Sequence, residues 1–134
     1  MDTKRIDIGL LILRLSIGLM MLLHGIAKLV NGIGPIVGMV ESMGLPGFIA
    51  YGVLVGEVLA PLMLIVGFRT KLAGAVFAFN MLVAVSMAHM GDILTISPMG
   101  GWALELQGAY FFGGIVLAIT GGGGIAVSTK NKYD

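Results

Sequence analysis

The sequence predicts an all-α fold, an integral membrane four-helix bundle forming a single transmembrane domain over residues 1–134. Three observations carry this expectation. Hydrophobic residues make up 57% of the chain and charged residues only 11%, against about 25% charge in an ordinary soluble domain. The apolar residues gather in four long runs, at about 8–30, 48–68, 72–89 and 102–120, each approaching the ~20 residues that cross ~30 Å of hydrocarbon at 1.5 Å per residue. The runs are apolar on nearly every side, without the period-two alternation of a membrane β-barrel strand.

The first run follows Lys4 and Arg5. It is too long for the apolar region of a signal peptide and no small-residue cleavage site closes it, so it reads as a retained span. The loop Asn31–Gly47 contains an apolar stretch from Pro35 to Met43, bounded by Gly-Pro and Leu-Pro-Gly. This stretch suits a short helix lying in the interface and capping the bundle, with a plain loop as the alternative. The second and third runs are joined by Gly67-Phe68-Arg69-Thr70-Lys71, which is short enough to force an antiparallel hairpin. Small residues recur four apart at Gly52, Gly56 and Ala60, at Gly74 and Ala78, and at Ala109 and Gly113. That spacing favours close helix packing. Gly121–Gly124 end the fourth run, and Ser128–Asp134 form a tail.

Orientation follows from the basic flanks. Lys4, Arg5, Arg69, Lys71, Lys130 and Lys132 all fall on one side of an even number of spans. The opposite loops, Asn31–Gly47 and Met90–Gly101, hold no Lys or Arg. The positive-inside rule then places both termini in the cytoplasm. Cysteine is absent, which excludes disulfides, thiol relays and thiolate metal sites. A net charge of +1 without a basic tract gives no reason to expect nucleic acid.

Ionisable side chains inside the spans need a reason, because each costs several kcal/mol in hydrocarbon. By helical rise, Glu57 lies ~14 Å below the outer surface, His24 ~9 Å and Glu105 ~4 Å. Lys28 is one turn above His24, and His89 closes the third run on the same side. Every span therefore contributes at least one such group to the outer half. Arg14 is the exception, ~9 Å from the cytoplasmic end; it either snorkels to the headgroups or faces the bundle and finds an acceptor. Lys28 could likewise snorkel, Glu105 could serve its helix dipole, and His89 could be an interfacial residue. Glu57 is too deep and too short to reach water, so it needs a partner, a proton or a cavity. Pro61, four residues on, cannot donate to the Glu57 carbonyl, which frees an acceptor and bends the helix there.

The cluster admits several chemistries. It could be a closed electrostatic network, or a protonatable pocket for a small polar head group such as a quinone, to which His and protonated Glu offer donors and a proton route. The spacing has no tight ligand motif, so no metal is expected. His24 and His89 differ in depth, which argues against a shared haem. Met39, Met43, Met87, Met90 and Met99 on the outer side suit adaptable packing around an apolar pocket.

These residues resemble the DoxX family, within the DoxD-like four-span membrane proteins. The likeness covers nearly the whole chain. It rests on Leu13-Arg14-Leu15 and Gly18, then His24-Gly25-Ile26-Ala27-Lys28-Leu29, then Gly56-Glu57 with Pro61-Leu62 and Gly67 to Ala73, then His89 and Glu105-Leu106. The Gly-rich ending Gly121–Ser128 is similar, while the common Ser-Leu-Asp close is not matched. The resemblance implies a multi-pass protein of the bacterial inner membrane. Relatives are subunits of a thiosulfate:quinone oxidoreductase or are linked to quinone or thiol stress. Those that handle dithiols use cysteines, which this chain lacks.

The expected function is therefore a quinone-interacting component of a redox system, as an oxidoreductase subunit without a covalent cofactor. Glu57 and His24 are the candidate catalytic residues, and Lys28, Arg14, Glu105 and His89 the candidate substrate-binding ones. The expected partners are the bilayer, a quinone or other small ligand, a protein redox partner and further copies of the chain. The alternatives are a non-enzymatic scaffold for a redox partner and a small-solute or proton-coupled carrier, for which no inverted repeat is visible.

Overall fold

The computed structural model describes residues 2–134, and these form an all-α architecture. Helix α1 spans Thr3–Asn31, α2 Gly34–Ser42, α3 Gly47–Val66, α4 Thr70–Ala88 and α5 Glu105–Thr120. Helices α1, α3 and α4 are long and apolar enough to cross a membrane. Helix α5 has 16 residues, or ~24 Å of rise, and starts three residues later than expected. The displaced residues are engaged elsewhere. Trp102 bridges to Ile96 and its indole N–H donates to the Ile93 carbonyl at 2.7 Å, while the Ala103 N–H donates to Thr95. These bonds hold a folded loop in place of a further helical turn.

The core gathers Ile17 and Met21 from α1, Leu64 from α3, Phe77 and Met81 from α4, and Tyr110 and Leu117 from α5. Ile12, Leu23, Leu59, Phe79, Phe112 and Ile119 point outward and are exposed. An apolar exterior of this kind on a chain whose backbone bonds close within helices suits hydrocarbon as solvent. The expected short helix before α3 is present as α2. It buries Val40 against Ile33 and Ala50, with Val53, Leu54 and Met87 around them, and so caps α3 and α4 at one end.

The most extensive helix pair is α4 with α5. A side chain at Gly74 would strike the Gly114 carbonyl at 2.7 Å and the Ala118 nitrogen at 2.8 Å; one at Gly114 would strike the Gly74 carbonyl at 2.9 Å. The close approach thus uses Gly74 and Ala78 as expected, but Gly114 and Ala118 on α5. Gly113 instead faces Ile17 of α1, and Ala109 is exposed. A one-residue shift around a helix turns a stripe by ~100°, and spacing alone left that phase open.

The end bearing the termini is closed by the tail. Gly67 ends α3 with φ at +78°, and Arg69 also has positive φ, which folds the hairpin tightly. The Tyr133 carbonyl accepts from the Lys71 and Leu72 N–H groups and so satisfies orphan donors in the first turn of α4. The Gly124 N–H donates to Asp7 of α1 at 2.8 Å, Val127 to the Val66 carbonyl and Ser128 to the Gly67 carbonyl. Arg69 donates to Ser128 Oγ at 2.8 Å and to Asp134 Oδ1 at 3.0 Å. Burial pushes the Asp134 carboxyl up, but the Ser128 hydroxyl, the Asn131 N–H and Arg69 outweigh it and hold its pKa at about 2. Residues that the sequence presents as a polar tail are a strap across the bundle.

Candidate functional site

The site is built where α1 crosses α3. Gly25 lies so close to the Glu57 carbonyl that a side chain there would overlap it, and this contact brings Lys28, one turn on, over Glu57. Helix α3 departs from α geometry at this level. It opens with a 3-10 turn over Gly47–Tyr51, makes one α turn, and passes through a π-helical turn at Val55–Leu59 before Ala60–Val66. Pro61 supplies the reason: it has no N–H to give, and the Ala60 N–H reaches back five residues to Val55. The bend expected from Pro61 is thus a π turn centred on Glu57. Such turns widen the helix locally and concentrate at functional sites.

Glu57 is buried, and its Oε2 accepts from Lys28 Nζ. The pair is asymmetric, because the Lys28 side chain is 30% exposed and that of Glu57 only 6%. One face is therefore open. His24 sits one turn from Lys28 on α1 and is exposed. Its ring meets Tyr110 of α5 edge-on at 6.4 Å, and Tyr110 in turn meets Phe77 at 5.8 Å. Met20, Leu23, His24, Ala27 and Tyr110 line an open groove along this side of α1. On the other side of Glu57, Asn80 of α4 is buried against Gly56, and its Nδ2 has no partner among the described residues.

The remaining candidates lie apart. Glu105 is exposed in the first turn of α5 and folds back over Gly101, a position favoured by the helix dipole. His89 caps the C-terminus of α4, where its Nδ1 lies 3.3 Å from Asp92 Oδ2. Arg14 is buried at the opposite end of the bundle, ~21 Å from Lys28 by helical rise. Its guanidinium donates to the Leu64 carbonyl at 3.3 Å and to the Ile125 carbonyl. It ties the tail to α3 and does not join Lys28 and Glu57. Of six sequence candidates, the fold brings Lys28, Glu57 and His24 to one place. Among the described residues, no three His, Asp or Glu side chains gather as a metal would need.

Tyr110 and Asn80 are less conspicuous in the sequence than the charged side chains of the same spans. Yet an amide ten residues into a span, or a phenol in one, raises the same question of where its polar atoms go.

Apolar spans, a core of helix-helix contacts and a charged pair between helices with its carboxylate buried define a multi-helix membrane protein with an internal polar site. A family model described as DoxX matches residues 9–90, and the chain belongs to the DoxX family. Over 82 residues it is 30% identical to "Putative oxidoreductase CatD" of Bacillus subtilis (strain 168), a match covering 61% of this chain and 60% of that protein. No solved structure matches the chain. Lys28, Glu57 and His24 fall inside the family match, while Tyr110 and the tail lie beyond it.

Proposed function

We propose that this chain is a quinone-interacting component of a redox system in a bacterial inner membrane. The observation that carries the reading is the Lys28–Glu57 pair, buried on the carboxylate side and open on the ammonium side, with a mostly apolar groove at His24 one turn away along α1. Reducing a quinone to its hydroquinone takes two electrons and two protons. Glu57 passes the two protons in turn, reloading from solvent between them, and Lys28 and His24 donate hydrogen bonds to the ligand's oxygen. The electrons come from a protein partner or a reduced co-substrate. The name of the Bacillus relative, an oxidoreductase, supports the same class of chemistry. The basic flanks at Lys4, Arg5, Arg69, Lys71, Lys130 and Lys132 support a cytoplasmic placement for the end bearing the termini, with the site toward the opposite face.

The test is chemical. Protein purified in mild detergent is extracted and its bound small molecules identified by mass spectrometry. A stoichiometric quinone in wild type, lost in a folded Glu57→Gln variant, is the expected result. No bound quinone, and no quinone binding on reconstitution, would reject the reading. A second reading, a scaffold for a redox partner, is favoured by the loop before α5, where Leu94 and Met99 are each 95% exposed. It expects a protein that co-purifies with wild type and is released by Leu94→Asp.

A further inference from the structure

A ligand bound for the Lys28–Glu57 pair must approach either from the capped end or from the side of the bundle. At the capped end, α2 and its small core of Ile33, Val40 and Ala50 lie across α3. On the side, the groove of Met20, Leu23, His24, Ala27 and Tyr110 lies open on the exposed face of α1. His24 is seven residues from the end of α1, ~10 Å in by helical rise. An imidazole facing hydrocarbon at that depth is costly without a polar partner. The groove thus presents one polar ring on an otherwise aliphatic wall, with a second polar ring beside it.

That second ring is Tyr110. It is only 4% exposed, yet it lines the groove. Phe77 on one side and His24 on the other meet it edge-on, which fixes the phenol plane before any ligand arrives. A side chain fixed in advance loses little entropy on binding. Tyr110 comes from α5, whereas Glu57 comes from α3 and Lys28 and His24 from α1, so a ligand between them touches three helices.

We propose that Tyr110 and His24 form a lateral port. The head group of a lipid-dissolved quinone or hydroquinone enters from the hydrocarbon between α1 and α5, and the Tyr110 hydroxyl binds its oxygen beside the Lys28–Glu57 pair. This rests on the quinone reading above and adds to it the route of entry and the residue that meets the ligand. The aliphatic wall of Met20, Leu23 and Ala27 takes the ligand's tail, which stays in the lipid.

The experiment measures binding of decyl-ubiquinone to the full chain in lipid nanodiscs, by equilibrium binding and by thermal shift. Tyr110→Phe removes only a hydroxyl; it weakens binding roughly fivefold or more, as expected for one lost hydrogen bond, and leaves the unliganded melting temperature near that of wild type. Ala27→Trp fills the groove and abolishes binding. Leu19→Trp, an exposed position on the same helix outside the groove, binds as wild type does. If Glu57→Gln loses the probe while Tyr110→Phe and Ala27→Trp keep wild-type affinity, the port is overturned and the quinone site stands. If wild type does not bind, both fall. If Ala27→Trp acts by dissociating a dimer on size exclusion, the groove is an interface between copies and the port is overturned.

Discussion

The two ends of the bundle give their charged side chains different numbers of partners. At the end bearing the termini, Arg14 and Arg69 are surrounded by acceptors from three stretches of chain: main-chain carbonyls at Leu64 and Ile125, the Ser128 hydroxyl and the Asp134 carboxylate. At the other end Glu57 meets one partner, Lys28; the cations of the two ion pairs are equally exposed, Lys28 at 30% and Arg69 at 29%. The backbone follows the same division. Near Arg69 the tail caps the first turn of α4, whereas around Glu57 the helix is loosened into a π turn; among the described residues, buried polar atoms without a partner occur at both ends, Arg14 Nε and Thr70 Oγ1 at one and Asn80 Nδ2 at the other. A closed network fixes structure. A sparse network beside an open groove is suited to receiving a ligand.

The largest effect should come from the closed end. Arg14→Met keeps the volume but removes charged hydrogen bonds to two carbonyls, at a cost of about 3 kcal/mol. The tail should loosen at the same time, so that trypsin cuts at Lys130 and Lys132 in the variant and not in folded wild type. Thermal unfolding in detergent and timed digestion read both effects. A variant as stable and as resistant as wild type would remove the contrast between the ends.

The open end should give a smaller, non-additive response. Lys28→Met strands the Glu57 charge and should cost about 2 kcal/mol, less than for a fully buried pair because Lys28 is partly exposed. Combining it with Glu57→Gln should restore most of that stability while quinone binding stays lost. A double variant that retains binding would make the pair purely structural.

The smallest effect is a pH response of the strap. The Asp134 carboxylate titrates at about 2 when folded, against an ordinary 3.8. A folded pKa that is lowered contributes stability above the unfolded value, and that contribution is lost as pH falls from about 4 to about 2. Tail release over that window, followed by a fluorine label at Tyr133, should vanish in Asp134→Asn. Release at neutral pH would instead point to Arg69 alone.

Much of the fold is legible in composition. Four apolar runs, a five-residue hairpin turn and a capping segment at Pro35–Met43 correspond to α1, α3, α4, α5 and α2, with ends shifted by a few residues. Glu57 and Lys28 are legible as candidates because charge in an apolar run stands out. Less legible is which candidates meet. Glu105 and His89 fall in the same half of the spans as the site but lie apart from it, since position along a span says nothing of direction around the bundle. In the sequence the tail shows only its polarity and Gly-rich start, and polarity does not reveal that main-chain groups at Val127, Tyr133 and Gly122 find partners on α3, α4 and the tail itself.

The sequence by itself determined the class of solvent, the number of apolar segments and the presence of an acid that cannot reach water. These follow from hydropathy and from helical rise, both local to the chain. The tertiary structure decided which side chain answers Glu57, which end of the bundle is sealed, and that Tyr110 stands at the groove. Those depend on the rotational phase of each helix and on a glycine contact between α1 and α3, and contacts between distant segments are set by packing rather than by composition.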